Sequence, residues 1–140
     1  MITDPSQLKV GMTIYLVHAF SDARKQMMCS ITESEVLAVS ITTTTGLDDF
    51  MRVKESATYI QINFDDSLWD YKSHASTGVP HETSMQDMGI IPNKYNKHGT
   101  FDNMSEAKRY LSTIVGLTIK EPAGHNTNNY DRAMRVLDLD

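Results

Sequence analysis

The chain has 140 residues, 18 of them acidic and 13 basic, and a formal net charge of −5. This length suits one domain, so we predict a single domain over residues 1–140. The basic residues are scattered, whereas a phosphate-binding surface concentrates them, which disfavours nucleic-acid binding. No apolar run approaches the roughly 20 residues of a membrane span, and residues 1–6 lack signal-peptide features. The single cysteine, Cys29, permits no intramolecular disulfide, so we expect a cytoplasmic protein without a membrane segment.

The N-terminal part of the chain contains four runs with the composition of β-strands. A turn at Gly11 leads into the first run, which places Ile14, Leu16 and His18 on one face. Short strands in such close succession predict an antiparallel meander or barrel. The four predicted strands are Met12–Phe20, Met27–Ile41, Phe50–Lys54 and Thr58–Phe64.

The segment from Asp65 to Gly99 differs in character, because polar and turn-forming residues dominate it. Only short apolar islands interrupt this composition. A stretch of this length without regular structure is uncommon inside a compact domain and is usually functional. We therefore predict a long polar loop here and expect it to carry the binding surface.

A helix is predicted from Met104 to Val115. Asn103 and Glu106 have the spacing of a capping box at its start, and Gly116 supplies a stop at its end. Apolar residues recur between them at helical spacing, which gives the helix one face to bury. These residues are Met104, Ala107, Leu111, Ile114 and Val115.

The end of the chain is predicted to be extended over Leu117–Ile119 and then broken by Pro122 and Gly124. Residues 130–137 suit a short helix, with a closing strand as the alternative. Together the elements predict an α+β fold. Its parts are a small antiparallel β-barrel or rolled sheet in the N-terminal half, a C-terminal helix packed on it, and the long polar loop between them.

The familiar signatures of enzymes are incomplete in this sequence. His81-Glu82 begins like the zinc-protease helix motif, but Met85 occupies the position of the second histidine. The chain has no Gly-x-Ser-x-Gly elbow, and residues 42–46 lack the lysine of a phosphate loop. The sequence therefore assigns no catalytic residue, no metal ligand and no cofactor.

One enzymatic alternative stays open at the start of the polar segment. Asp65 and Asp66 are adjacent carboxylates at a predicted strand end, where such pairs can hold a divalent metal. With a nearby histidine they would suit a small metal-dependent hydrolase or nucleotide-processing enzyme. The candidate histidines are His74, His81 and His98.

Aromatic residues among acidic ones mark the candidate binding surface. Trp69 and Tyr71 flank Asp70 in an otherwise polar segment, and tryptophan and tyrosine are enriched at the energetic centres of protein interfaces. The alternative is that Leu68 and Trp69 only anchor the loop to the core. The predicted partner-binding residues are Trp69, Asp70, Tyr71, His81 and Tyr95.

Two segments resemble known proteins. Residues 8–17, in which Gly11 precedes Ile14-Tyr15-Leu16-Val17, resemble the entry strand of small barrels of the Src-homology-3 type. Residues 101–111, with Asn103 before Glu106-Ala107, resemble the ending of small accessory proteins of tailed bacteriophages. The resemblance implies a phage-encoded protein that acts by binding in the host cytoplasm, and it assigns no site residue.

These observations predict a non-enzymatic protein that binds a host protein and modulates or inhibits it. A defence or host-takeover component is the expected kind of target. Besides the metal-dependent enzyme, the alternative is an oligomeric protein that binds a small ligand between subunits. A homo-oligomer is therefore left open.

Overall fold

The computed structural model describes residues 1–21, 27–40, 50–63, 68–74, 79–91 and 96–120. A short 3-10 turn at Pro5–Gln7 precedes the sheet. Asp4 caps this turn, because its side chain accepts a hydrogen bond from the Ser6 N–H at 2.9 Å. The elements that follow are β1 (Thr13–Ser21), β2 (Met27–Val39), β3 (Phe50–Asn63), β4 (Leu68–His74), β5 (His81–Ser84), β6 (Gly99–Phe101) and α1 (Met104–Lys120).

The described strands form one antiparallel sheet in the order β4-β3-β2-β1-β6, and β5 pairs with β3 beside this path. β1 pairs with β2 along its whole length, from Thr13 opposite Glu35 to Ser21 opposite Met27. The β2–β3 pairing shifts register at three places, and such bulges bend a sheet and increase its twist. The predicted α+β class, with an antiparallel sheet and a helix packed on it, is confirmed.

Both faces of the sheet are covered by apolar side chains. One cluster lies under the helix, and the other lies on the opposite face, beneath the N-terminal segment and the turn after β5. Burying each large aliphatic side chain contributes roughly 1.5–3 kcal/mol. The helix-side cluster contains Val17, Ala19, Cys29, Ile31, Ile60, Phe101, Ala107, Leu111 and Ile114. The opposite cluster contains Ile2, Leu8, Ile14, Leu16, Val36, Met51, Val53, Met85, Met88 and Ile90.

The predicted helix forms, and its N-terminus is capped as expected. The Glu106 N–H donates to Asn103 Oδ1 at 3.2 Å, which satisfies one of the free donors of the first turn. The predicted end at Val115 is wrong, because the helix continues through Gly116 to Lys120. Glycine only weakens a helix interior and does not by itself end a helix, so Gly116 is not a stop here. Leu117–Ile119 is therefore helical and not extended.

The sequence predicts two strands, Phe50–Lys54 and Thr58–Phe64, but their described residues belong to one continuous strand, β3. Phe64 lies outside the described residues. The polar residues between the two predicted strands do not break β3, since the register shifts in the β2–β3 pairing accommodate them. The Ser56 hydroxyl donates to the Glu33 carbonyl oxygen at 3.1 Å and to Glu33 Oε2 at 3.0 Å. This side-chain contact with β2 thus stabilises the middle of β3, where the sequence pattern predicts a break between two strands.

The predicted polar loop from Asp65 to Gly99 is not one continuous loop, because it contains β4 and β5. Both strands pair with β3, and this pairing satisfies backbone groups whatever the polarity of the side chains. The prediction for residues 130–137 lies outside the described residues.

The first testable prediction concerns two buried hydroxyl groups. Ser34 Oγ has no hydrogen-bond partner among the described residues, whereas Thr100 Oγ1 donates to the Met88 carbonyl oxygen at 2.7 Å. Ser34→Ala should leave the free energy of unfolding unchanged or raise it by up to about 1 kcal/mol. Thr100→Val should lower it by about 1–3 kcal/mol, because the Met88 carbonyl loses its donor. Urea denaturation measures both, and equal losses in the two variants would contradict the assignment.

The second prediction compares two glycines with positive φ angles. Gly89 has a φ of 74°, and a Cβ there would overlap the carbonyl group of His98. Gly11 has a φ of 91°, but no atom lies within 4 Å of a Cβ built there. Gly89→Ala should cost roughly 3 kcal/mol or more, and Gly11→Ala about 1–2 kcal/mol. Thermal unfolding of both variants provides the comparison, with Gly11→Ala as the control for backbone strain alone.

Candidate functional site

Three of the five predicted binding residues lie together on one edge strand. Trp69, Asp70 and Tyr71 belong to β4, at the end of the strand order. Trp69 is paired with Gln61 and Asp70 with Ile60 of β3. Tyr71 follows directly, where the β3–β4 pairing becomes irregular. These three residues, which are adjacent in the sequence, therefore also lie together on one strand of the sheet.

β4 pairs with β3 on one side, and no described strand pairs with its other side. The outer side of an edge strand presents N–H and C=O groups to which an extended chain can add as a further strand. Among the described residues, β4 is one of the strands whose outer side has no paired strand.

His81 lies on the same edge of the sheet but far from Trp69. It begins β5, is exposed, and is paired with Val53. Trp69 is paired with Gln61, so the two residues are separated by roughly 25 Å along β3 at about 3.3 Å per residue. We call the combined edge, Leu68–His74 and His81–Ser84, the β4–β5 edge. The fifth predicted residue, Tyr95, lies outside the described residues.

The alternative metal site is not assembled in the part of the chain that the structure describes. There, no three His, Cys, Asp or Glu residues are grouped so that they could hold a metal ion. Asp65 and Asp66 lie outside the described residues. His74 and His81 belong to different strands of the β4–β5 edge, and His98 lies next to β6 at the other edge of the sheet.

His98 has a different neighbour, which the sequence did not indicate. Its ring lies 4.9 Å from that of His18, measured between centroids. The Ala19 N–H donates to His98 Nδ1 at 2.9 Å, so the neutral ring carries its proton on Nε2. Burial and the adjacent His18 lower the pKa of His98 to about 4, against an opposing influence of Asp87. His18 was missed because it lies inside a strand and belongs to no motif.

A cavity of about 340 Å³ lies beside His98. It is formed where the N-terminal segment, the turn after β5, the segment before β6 and α1 meet. Because its walls come from four separate parts of the chain, no local sequence pattern predicts this cavity. We call it the Lys97 cavity, and its described lining residues are Met1, Thr3, Gly89, Ile90, Asn96, Lys97, His98 and Tyr110.

Hydrogen bonds hold the walls of the Lys97 cavity in place. Tyr110 Oη donates to the Lys97 carbonyl oxygen at 2.9 Å, which joins α1 to the segment before β6. The Lys97 N–H donates to the Ala19 carbonyl oxygen at 3.0 Å, which joins the same segment to β1. The His98 N–H donates to Asn96 Oδ1 at 3.1 Å. Hydrogen bonds within the chain thus connect α1, the segment before β6 and β1 at the wall of the cavity.

The fold and its surfaces are those of a small α+β protein, and the described residues include no helix long and apolar enough to cross a membrane. Residues 2–114 match the family model described as phage g100-like protein. The match spans most of the chain, so the chain belongs to the phage g100-like family. No curated protein and no solved structure matches it. The phage part of the resemblance is confirmed, and the Src-homology-3 part stays a prediction.

The third prediction concerns the pH dependence of stability. An unfolded histidine titrates near pH 6.5, whereas the pKa of His98 in the fold is about 4. Between these values the unfolded chain binds more protons, so the free energy of unfolding should fall as the pH drops from about 6.5 to 4. His98→Asn keeps an acceptor near the position of Nδ1 and should make this dependence shallower. Urea titrations across the window would contradict the role of His98 if the slopes were equal.

Proposed function

We propose that this phage protein acts without catalysis, by binding a host protein and modulating or inhibiting it, and that β4 provides the central contact. The observation that carries the proposal is the position of Trp69, Asp70 and Tyr71 on an edge strand whose outer side is not paired with a described strand. A defence or host-takeover component in the host cytoplasm is the expected target.

Two physical contributions support binding at β4. An extended segment of the partner would gain backbone hydrogen bonds along the edge, which provide affinity with little dependence on sequence. Tryptophan and tyrosine add large contact areas at a low cost in side-chain entropy. β4 would thus offer backbone groups that pair with an extended segment and aromatic side chains that select among partners.

The pairing of β4 also bears on the alternative that Leu68 and Trp69 only anchor a loop. Leu68, Trp69 and Asp70 are each in register with residues of β3. The backbone of this segment is therefore attached to the sheet by its own pairing. The backbone of this segment therefore needs no aromatic anchor to stay on the sheet.

The fourth prediction tests this surface with the double variant Trp69→Ala/Tyr71→Ala. Its affinity for the partner should fall roughly 30-fold, corresponding to about 2 kcal/mol for the loss of an interface centre. Partners captured by the wild-type chain from a lysate of the host would be identified first, and binding would then be measured by calorimetry. Hydrogen exchange should show new protection of the amides of β4 in the complex.

Val10→Ala is the matched control, because Val10 is 70% exposed and lies outside the β4–β5 edge. It should bind the partner as tightly as the wild-type chain. A double variant that remains folded and binds with unchanged affinity would refute the assignment of the surface. If hydrogen exchange and sedimentation instead showed a second copy of the chain on β4, the edge would serve self-association and the proposal would fail.

A further inference from the structure

We propose that the Lys97 cavity binds a small organic anion, with its carboxylate or phosphate group beside Lys97 and its apolar body against Met1. This inference goes beyond partner binding, because it concerns a different surface and a different class of ligand. It is carried by the chemistry of the lining residues, by their charge and by the hydrogen bonds that connect the walls of the cavity.

The lining is rich in hydrogen-bond donors. Lys97 is an exposed residue of the lining, and its ammonium group has three donors and no acceptor. Asn96 uses its Oδ1 atom to accept from the His98 N–H, so its amide nitrogen is the end left to act as a donor. Thr3 adds a hydroxyl group. Donors of this kind converge on the acceptor oxygens of a carboxylate or phosphate group.

The charge of the lining has the same sign throughout. Among the described lining residues there is no aspartate or glutamate, although the chain as a whole carries a net charge of −5. Lys97 forms no ion pair with any described residue. Two carboxylates act on lining residues without belonging to the lining: Glu106 Oε2 lies 3.9 Å from the amine of Met1, and Asp87 acts on His98. An anion would therefore meet an unneutralised cation without a competing carboxylate in the lining.

Packing and hydrogen bonds hold the remaining walls of the cavity. Ile90 is 3% exposed, and the backbone at Gly89 packs directly against that of His98. With hydrogen bonds from Tyr110 and Lys97 holding the opposite walls, little ordering is required when a ligand enters. A volume of about 340 Å³ lies at the lower end of the range for small-molecule sites. These features fit a compact anion with an aromatic or aliphatic body.

The fifth prediction uses two aromatic anions, benzoate and phenyl phosphate, as probes. Benzyl alcohol is the control that has the aromatic ring but no charge, and inorganic phosphate is the control that has the charge but no apolar group. Amide resonances of Gly89, Asn96, Lys97, His98 and Tyr110 in the full chain should shift saturably with one or both aromatic anions. Which anion binds more tightly distinguishes a carboxylate ligand from a phosphate ester. Benzyl alcohol and inorganic phosphate should bind at least roughly tenfold more weakly, since each lacks one of the two contacts.

Lys97→Met should weaken binding of the preferred anion at least roughly tenfold, whereas Lys97→Arg should preserve it. Lys54→Met is the matched control, because Lys54 is an exposed lysine on β3 outside the cavity. Three results would overturn the proposal: no saturable shift with either aromatic anion, an equal response to benzyl alcohol or inorganic phosphate, or unchanged binding by a folded Lys97→Met variant.

Discussion

The structure depends on β1, because both faces of this strand are buried and both of its edges are paired. Ile14 and Leu16 enter one apolar cluster, while Val17 and Ala19 enter the other. β2 and β6 occupy its two sides. An antiparallel strand commonly leaves one face to solvent, so burial of both faces requires two separate coverings. α1 provides one, and the N-terminal segment with the turn after β5 provides the other.

The position of the Lys97 cavity follows from the way these coverings meet at the end of β1. β6 pairs with β1 over only three positions, but the segment before β6 continues the contact through two hydrogen bonds to Ala19. One of them ends on His98 Nδ1 and therefore requires a neutral ring acceptor. The low pKa of His98 is thus coupled to the attachment of the cavity wall.

The sequence was sufficient to predict those parts of the fold that depend on local patterns. The period of two through Ile14 and Leu16 located β1 to within a residue at each end, and Asn103 located the helix cap. Contacts between distant residues were beyond such reasoning. The continuity of β3 rests partly on Ser56 bonding to Glu33, and β4 and β5 are strands because β3 is there to pair with them.

The candidate binding surfaces also differ in how far local sequence patterns could predict them. Trp69, Asp70 and Tyr71 are adjacent in the chain, so a composition argument could single them out before their edge position was known. The Lys97 cavity joins Thr3, Gly89, Lys97 and Tyr110, whose sequence separations exceed any local pattern. His18 and His98 meet only because β1 and the segment before β6 are neighbours. Sites assembled by the topology become visible only when the strand order is known.

The two surfaces lie at opposite edges of the sheet, with β3, β2 and β1 between β4 and β6. β4 contributes no residue to the described lining of the cavity, so the two surfaces share no residue. β5 is different, because Gly89 and Ile90 of the cavity wall follow it within a few residues. Met85 and Met88 between them are fully buried, so this connection is packed into the core. A partner that extends from β4 to β5 would therefore touch an element continuous with the cavity wall, and the length of its contact decides whether the two sites are independent.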